Sequence, residues 1–233
     1  MVTGNHDPLS GWEPSVVWPE LAHRFPARTV TSIPVIRDQD EIARIYGVSY
    51  HVRDVTVNLA SRFRRETGVP FAVGLLHSNV GGVEGVANYA PCSLADLRAA
   101  DMDYWVLGHI HRHAVLLSGR PTVVYCGNPQ GRDPGEADAR GCYLVTVDDA
   151  GEIHPEFRPA DVVRWQLLDL PIDGILEEES LIERVAETAD DARSRAERAI
   201  VARITLKPQS TDVRRLGASQ ARFGPIDVRD EQA

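Results

Sequence analysis

Lysine is nearly missing from this chain: Lys207 is the only one in 233 residues, and arginine supplies the rest of the basic charge. Acidic residues outnumber basic ones, 34 to 25, for a formal net charge of −9. A protein that grips nucleic acid through a broad basic face is therefore excluded, because phosphate neutralisation needs clustered Lys and Arg. A site whose local positive charge comes from bound metal ions stays open. Cysteine is also scarce. Cys92, Cys126 and Cys142 form no CxxC pair and no zinc-ligand spacing, so reduced thiols are expected. No apolar run approaches the ~18 residues of a membrane span. The first residues lack the charged and apolar blocks of a secretory signal, so a cytoplasmic protein with no membrane partner is the expectation. Internal repeats and low-complexity tracts are absent as well. What remains is an ordinary globular composition, 43% hydrophobic, enough for one large domain or a domain with an appendage.

The apolar pattern divides the chain. Ser15 to about Phe25 reads as a short helix, and Ile42 to Tyr50 as a strand. Asp54 then caps a helix that places Val55, Leu59 and Phe63 on one face and ends at Gly68. Phe71 to Leu76 is an unbroken apolar run, as in a strand covered on both faces. Ser93, with Asp96 three residues later, marks a helix start. Tyr104 to Leu107 is a further strand. Two hairpins follow, Ala114 to Leu117 with Pro121 to Tyr125, and Cys142 to Val147 with Ile153 to Phe157. The chain to about residue 160 thus reads as α/β with its functional residues on loops after strands. A strand over Val163 to Ile172, a helix over Glu177 to Ala199 and a strand over Ile200 to Leu206 form a separate β-α-β module. Beyond Pro208 the pattern dissolves, and residues 208–233 are expected to be a poorly ordered tail.

Three pieces of the first part carry chemistry: Gly4-Asn5-His6-Asp7, His77 at the end of an apolar run, and Gly108-His109-Ile110-His111. Imidazole nitrogens and an amide oxygen suit borderline divalent ions such as manganese, iron or zinc. Asn5, His77, His109 and His111 supply that mixture. His109 and His111 are two apart, so on a loop both can turn toward one pocket. Taken singly, each piece is a weak signal; in this order and in strand-loop settings they point to one site. His23, His51, His113 and His154 are read as structural or solvent-exposed, with His113 notable for adjoining the motif.

The three pieces in this order resemble the second half of the calcineurin-like metallophosphoesterase signature. Gly4 to Pro8, Asn88 to Ser93, Asp103 to His111 and Tyr125 to Arg132 are similar to its DNA repair exonuclease branch, which includes the nuclease subunit of the bacterial SbcCD complex. The similarity covers about residues 1–206. It implies an α/β fold, a two-sheet sandwich flanked by helices, over residues 1–160, with a partial β-α-β capping domain over 161–207. It further implies two divalent ions, typically manganese. By motif, Asn5, His77 and His109 would bind one ion and His111 the other. His6 would face the scissile phosphate and stabilise or protonate the departing oxygen. Asp7 would steady the loop. Asn128 and Arg132 would lie near the rim, within reach of a DNA backbone.

In that family an Asp-x-His motif and a Gly-Asp motif precede Gly-Asn-His-Asp, and neither is present here. The resemblance therefore implies an N-terminally incomplete form, lacking the first β-α units and the carboxylate that bridges the ions, with little activity of its own. The family's other partner, a coiled-coil ATPase, binds largely beyond the capping domain. A phosphoesterase acting on a small ester and a non-catalytic remnant are the competing expectations.

Overall fold

The computed structural model describes residues 1–10, 18–82, 85, 87–175 and 177–207. Its main sheet has six strands: β1 (Thr31–Arg37), β2 (Asp40–Gly47), β3 (Ala72–His77), β4 (Tyr104–Gly108), β5 (Ala114–Leu117) and β6 (Thr122–Tyr125), in the order β1-β2-β3-β4-β6-β5. Strands β2, β3, β4 and β6 run parallel, and β1 and β5 close the two edges antiparallel. The chain leaves β4, makes the outer strand β5, and returns to insert β6 beside β4.

Burial explains the choice of residues in the middle of this sheet. All four residues of β6 are buried, as a strand covered on both faces requires. Trp105 is fully buried in β4 beside Gly74 of β3. A Cβ on Gly74 would lie 2.4 Å from the indole, so only glycine admits it. The indole N–H donates to the Leu97 carbonyl at 3.1 Å, and Phe63 packs on the ring at a centroid distance of 4.8 Å. Leu97 belongs to α1 (Leu94–Ala99), which Ser93 and Asp96 start with the expected reciprocal capping box. At the other end of the strands the buried carboxylate of Asp103 accepts from the Ala72 N–H at 2.8 Å and pairs with Arg65 and Arg120 at 3.1 and 2.9 Å. These bonds tie the starts of β3 and β4 together.

Two sequence expectations are corrected. The helix expected from Asp54 to Gly68 is a single 3-10 turn, Ala60–Arg62. Leu59 and Phe63 are buried as expected, but Val55-Thr56-Val57 is β-branched and resists helix. Asn58 then accepts from the Ser61 N–H at 3.2 Å, which starts the short turn locally. Of the helix expected over Ser15 to Phe25, residues 15–17 lie outside the described ones. Residues 18–25 are irregular apart from one turn at Glu20 and Leu21, where the Ala22 N–H donates to the Pro19 carbonyl. Strand β1 had no counterpart in the sequence reading. The tail over 208–233 also lies outside the described residues.

The remaining strands of this first unit, β7 (Gly141–Val147) and β8 (Ile153–Pro159), pair antiparallel as their own two-stranded sheet. A mixed α/β unit built on a multistranded sheet with few helices is thus present. A second compact unit comprises Asp133–Ala137 and the described residues between Val163 and Lys207. In it, β9 (Val163–Pro171) and β10 (Ala199–Lys207) pair in parallel, joined by α2 (Glu178–Ala196). Parallel strands need such a crossover. Leu170 and Ile172 from the end of β9 pack with Leu181 of α2. Acidic Glu178 and Glu179 occupy the first turn of α2 and Arg193 and Arg195 the last, each complementing the helix dipole.

Candidate metal centre

The parallel strands deliver their C-terminal ends to one edge of the sheet, where α/β folds place ligands. β3 ends at His77 and β4 at Gly108, and these two residues are register partners. β6 runs on into Cys126, Gly127 and Asn128. The N-terminal motif reaches the same edge through Thr3. Its N–H donates to Ser49 Oγ and its hydroxyl to the Tyr50 carbonyl, while the Tyr50 N–H donates to the Thr3 carbonyl, each at 3.2 Å. Asp7 then braces the turn by accepting from the Gly4 N–H at 2.7 Å.

That placement seats Gly4 against the imidazole of His77. A Cβ on Gly4 would lie 2.3 Å from His77 Cε1, and one on Gly108 would lie 3.0 Å from Nδ1. Two glycines thus leave room for the ring from separate segments. Tyr50 completes the setting. Its hydroxyl donates to the His77 carbonyl at 2.9 Å, and its ring meets the imidazole edge-on at 5.2 Å.

Asn5 is buried, and its Oδ1 stands 2.8 Å from His77 Nε2. Two neighbouring ligands at right angles on one ion, each about 2.1 Å from it, are themselves about 3 Å apart. The amide oxygen only accepts, so His77 Nε2 donates across this contact in the metal-free chain, and the same spacing approaches that of two ligands on one ion once the proton moves to Nδ1 and frees Nε2. His109 lies alongside, its ring centroid 5.2 Å from that of His77. Its backbone has φ of +95°, a strained setting for a residue with a side chain. His109 Nε2 is 2.8 Å from the Ala87 carbonyl. A carbonyl only accepts, so Nε2 carries the proton and Nδ1 presents a bare lone pair.

The charge state suits ligation too. Burial, followed by the neighbouring His109, His6 and His111, pushes the His77 pKa down to about 3. His109 is also lowered, chiefly by burial, with the Ala87 hydrogen bond opposing the shift. Both rings are neutral near pH 7, the form that binds metals.

His111 is placed differently. Arg132 Nη2 is 3.3 Å from its Nδ1, and because a guanidinium only donates, Nδ1 must be the acceptor. The His111 carbonyl accepts from the Asn128 N–H at 3.2 Å and from Arg140 Nη1 at 2.5 Å. His6 is exposed beside the cluster. Asn5, His6, His77, His109 and His111 are thus gathered, with Asn128 and Arg132 adjoining them through His111. His113 turns away: its ring stacks on Phe157 at 3.6 Å and its Nδ1 meets the Tyr143 hydroxyl at 3.2 Å. His23 packs on Phe25 and His154 pairs with Asp148, both as structural residues.

In donor type and proximity, Asn5, His77 and His109 fit one borderline divalent ion. They do not fit two. Among the described residues no three His, Cys, Asp or Glu side chains are arranged so that they alone could hold a metal ion, so the fit depends on the Asn5 amide oxygen beside two imidazoles. Participants that the motifs do not contain include Tyr50, Ala87 and Arg140. Each is a single residue outside any motif, and only the folded chain reveals what it touches.

No family model matches the chain. It is similar to the uncharacterized metallophosphoesterase YhaO of Bacillus subtilis (strain 168), with 38% identity over 196 residues. The match covers 84% of this chain and 48% of that protein, so the chain spans about half the length of this relative. The likeness supports a relationship to metallophosphoesterases. Among the described residues no helix is long and apolar enough to cross a membrane.

Proposed function

We propose that this metallophosphoesterase relative binds a divalent ion, manganese in the first instance, through Asn5, His77 and His109, and serves hydrolysis of phosphodiester bonds in DNA. The observation that carries the metal assignment is the 2.8 Å approach of Asn5 Oδ1 to His77 Nε2, with the His109 ring centroid 5.2 Å from that of His77. When bound, a divalent ion supplies the positive charge that a phosphoryl oxygen requires as the ester breaks. The chain's own residues do the rest. Gly4, Gly108 and Tyr50 fix the His77 ring, and Ala87 fixes the tautomer of His109. His6, exposed beside them, stabilises the departing oxygen through a ring N–H or transfers a proton to it. Asn128 and Arg132 meet a backbone phosphate, a local contact consistent with a net charge of −9 that leaves no broad basic face.

DNA as substrate rests on the resemblance of Tyr125 to Arg132 and Asp103 to His111 to the exonuclease branch. Within that reading the second ion takes His111 together with ligands from the two motifs this sequence lacks. A role in DNA repair, a coiled-coil ATPase partner and a cytoplasmic location belong to the same proposal. The sandwich and capping-domain organisation, with site residues in 1–160 and the β-α-β module over 161–207, belongs to it as well.

The test is hydrolysis of end-labelled linear duplex DNA by the purified chain with manganese, in parallel with p-nitrophenyl phosphate. Cleavage of the duplex that His6→Ala abolishes supports the proposal. Turnover of p-nitrophenyl phosphate alone favours a small-ester enzyme. No turnover of either with manganese bound favours a non-catalytic or incomplete form.

A further inference from the structure

Arg140 follows the last of the sequence motifs and belongs to none of them, yet it is 5% exposed. A buried guanidinium costs several kcal/mol of lost hydration unless its donors are satisfied. Where those donors point is therefore informative. Arg140 Nη1 donates to the His111 carbonyl at 2.5 Å and reaches Asn128 Oδ1 at 3.3 Å. One nitrogen thus joins the loop after β4 to the loop after β6.

The backbone repeats the connection. The Asn128 N–H donates to the His111 carbonyl, and the Asn128 carbonyl accepts from the Gly141 N–H, both at 3.2 Å. His111, Asn128 and the start of β7 therefore lie side by side. Gly127 makes the approach possible: at its φ of +72° a Cβ would stand 2.9 Å from His113 N and 3.0 Å from the His111 carbonyl oxygen. Arg140 itself is held from behind, its carbonyl accepting from the Ala160 and Asp161 N–H groups at 2.8 and 3.1 Å. Next to it, a Cβ on Gly141 would lie 2.0 Å from the Arg158 carbonyl, which fixes the entry into β7. The arginine thus projects from the start of β7 onto two loops and adds side-chain bonds to the backbone bonds that already join them.

We infer that Arg140 is a positioning residue that locks the His111 loop to the Asn128 loop, so that the metal-side imidazole and the amide facing the substrate phosphate are set as one unit. The assignment of His111 and Asn128 to those roles rests on the function proposed above; the lock itself does not. Arginine suits the task because its charge strengthens both bonds while its planar head stays fixed. A lysine at this position keeps the charge but offers a mobile point donor.

Native-state hydrogen exchange at the Asn128 amide, whose N–H is the one given to His111, reads the lock in the metal-free chain. The core amides of Trp105 and Val123 serve as the internal reference. Protection at Asn128 is expected to fall at least tenfold in Arg140→Met and several-fold in Arg140→Lys, with the reference amides unchanged. Manganese alone, titrated into the same proteins, should bind most tightly to the wild type and least tightly to Arg140→Met. Equal Asn128 protection in wild type and Arg140→Lys overturns the inference, and this comparison stands even if Arg140→Met does not fold. Loss of protection everywhere in parallel, reference amides included, overturns it also, since that is the mark of a residue that only stabilises the fold. Absence of manganese binding in the wild type counts against the functional proposal and leaves the exchange result to decide the lock.

Discussion

Gly4→Ala is the smallest change that reaches the proposed centre. One methyl group would be placed 2.3 Å from His77 Cε1, 2.4 Å from Nδ1 and 2.7 Å from Cγ, flat against the ring. Carbon atoms in ordinary contact sit about 3.5 Å apart, so the ring or the Gly4–Asp7 turn must retreat by about 1 Å. Neither retreats freely. The His77 ring is bounded on other sides by Gly108 and Tyr50, and the turn is tied by the Gly4 to Asp7 bond and by three bonds between Thr3 and residues 49 and 50. Overpacking of this kind costs about 1–3 kcal/mol, a loss visible in the urea midpoint. The larger effect falls on geometry, because the Asn5–His77 approach is made across the displaced contact. Manganese affinity should drop at least tenfold, a far greater fractional loss than in Gly82→Ala, where a Cβ meets nothing within 4 Å. Gly82 has φ of +70°, so that control also carries a backbone penalty, which makes the comparison conservative. Unchanged manganese affinity in Gly4→Ala, with the protein folded, would refute the account of how the ring is held.

Acid should destabilise the metal-free chain through His77. Its pKa falls from 6.5 to about 3 on folding, so between those values the unfolded chain binds more protons and stability rises with pH. The contribution is whole above about 6.5 and is lost as pH falls toward and through about 3; His77→Gln should flatten that limb of the urea midpoint against pH. Asp103→Ala removes a 4%-exposed carboxylate from the Ala72 N–H, Arg65 and Arg120. Stability should drop by about 3 kcal/mol, the lower end for a broken buried pair because Arg120 keeps access to water, as measured by chemical denaturation. Ser93→Ala breaks the capping box of α1 and should cost about 1 kcal/mol in the same assay.

The strands that build the site were legible because their residues leave little choice. Phe71 to Leu76 and Tyr104 to Leu107 are short apolar runs ending at His77 and Gly108, and they became neighbouring parallel strands. The β-α-β module was equally plain, since a long charged helical stretch separates two short strand-like segments, the second with alternating apolar residues. The segment from Asp54 to Gly68 was not. There the four-residue spacing of Val55, Leu59 and Phe63 imitates a helix, while the actual burial is achieved by irregular backbone around one 3-10 turn. Strand β1 escaped because Pro34 interrupts an alternating pattern; as an edge strand it tolerates a residue without an N–H. Within the site, the histidines were visible as motifs. What orients them was not, because Gly4 against His77, Tyr50 beneath it and Arg140 behind His111 are contacts between segments 27 to 73 residues apart.

The measurement closest to the central claim is a manganese titration of the purified chain, followed by electron paramagnetic resonance, in wild type, Asn5→Ala, His77→Ala and His109→Ala. Saturable binding of an ion in the wild type, weakened at least tenfold by each substitution in a protein that remains folded, is the expected result. Binding that is absent in the folded wild type, or that survives His77→Ala with unchanged affinity and stoichiometry, would contradict the assignment of Asn5, His77 and His109 as ligands of one ion.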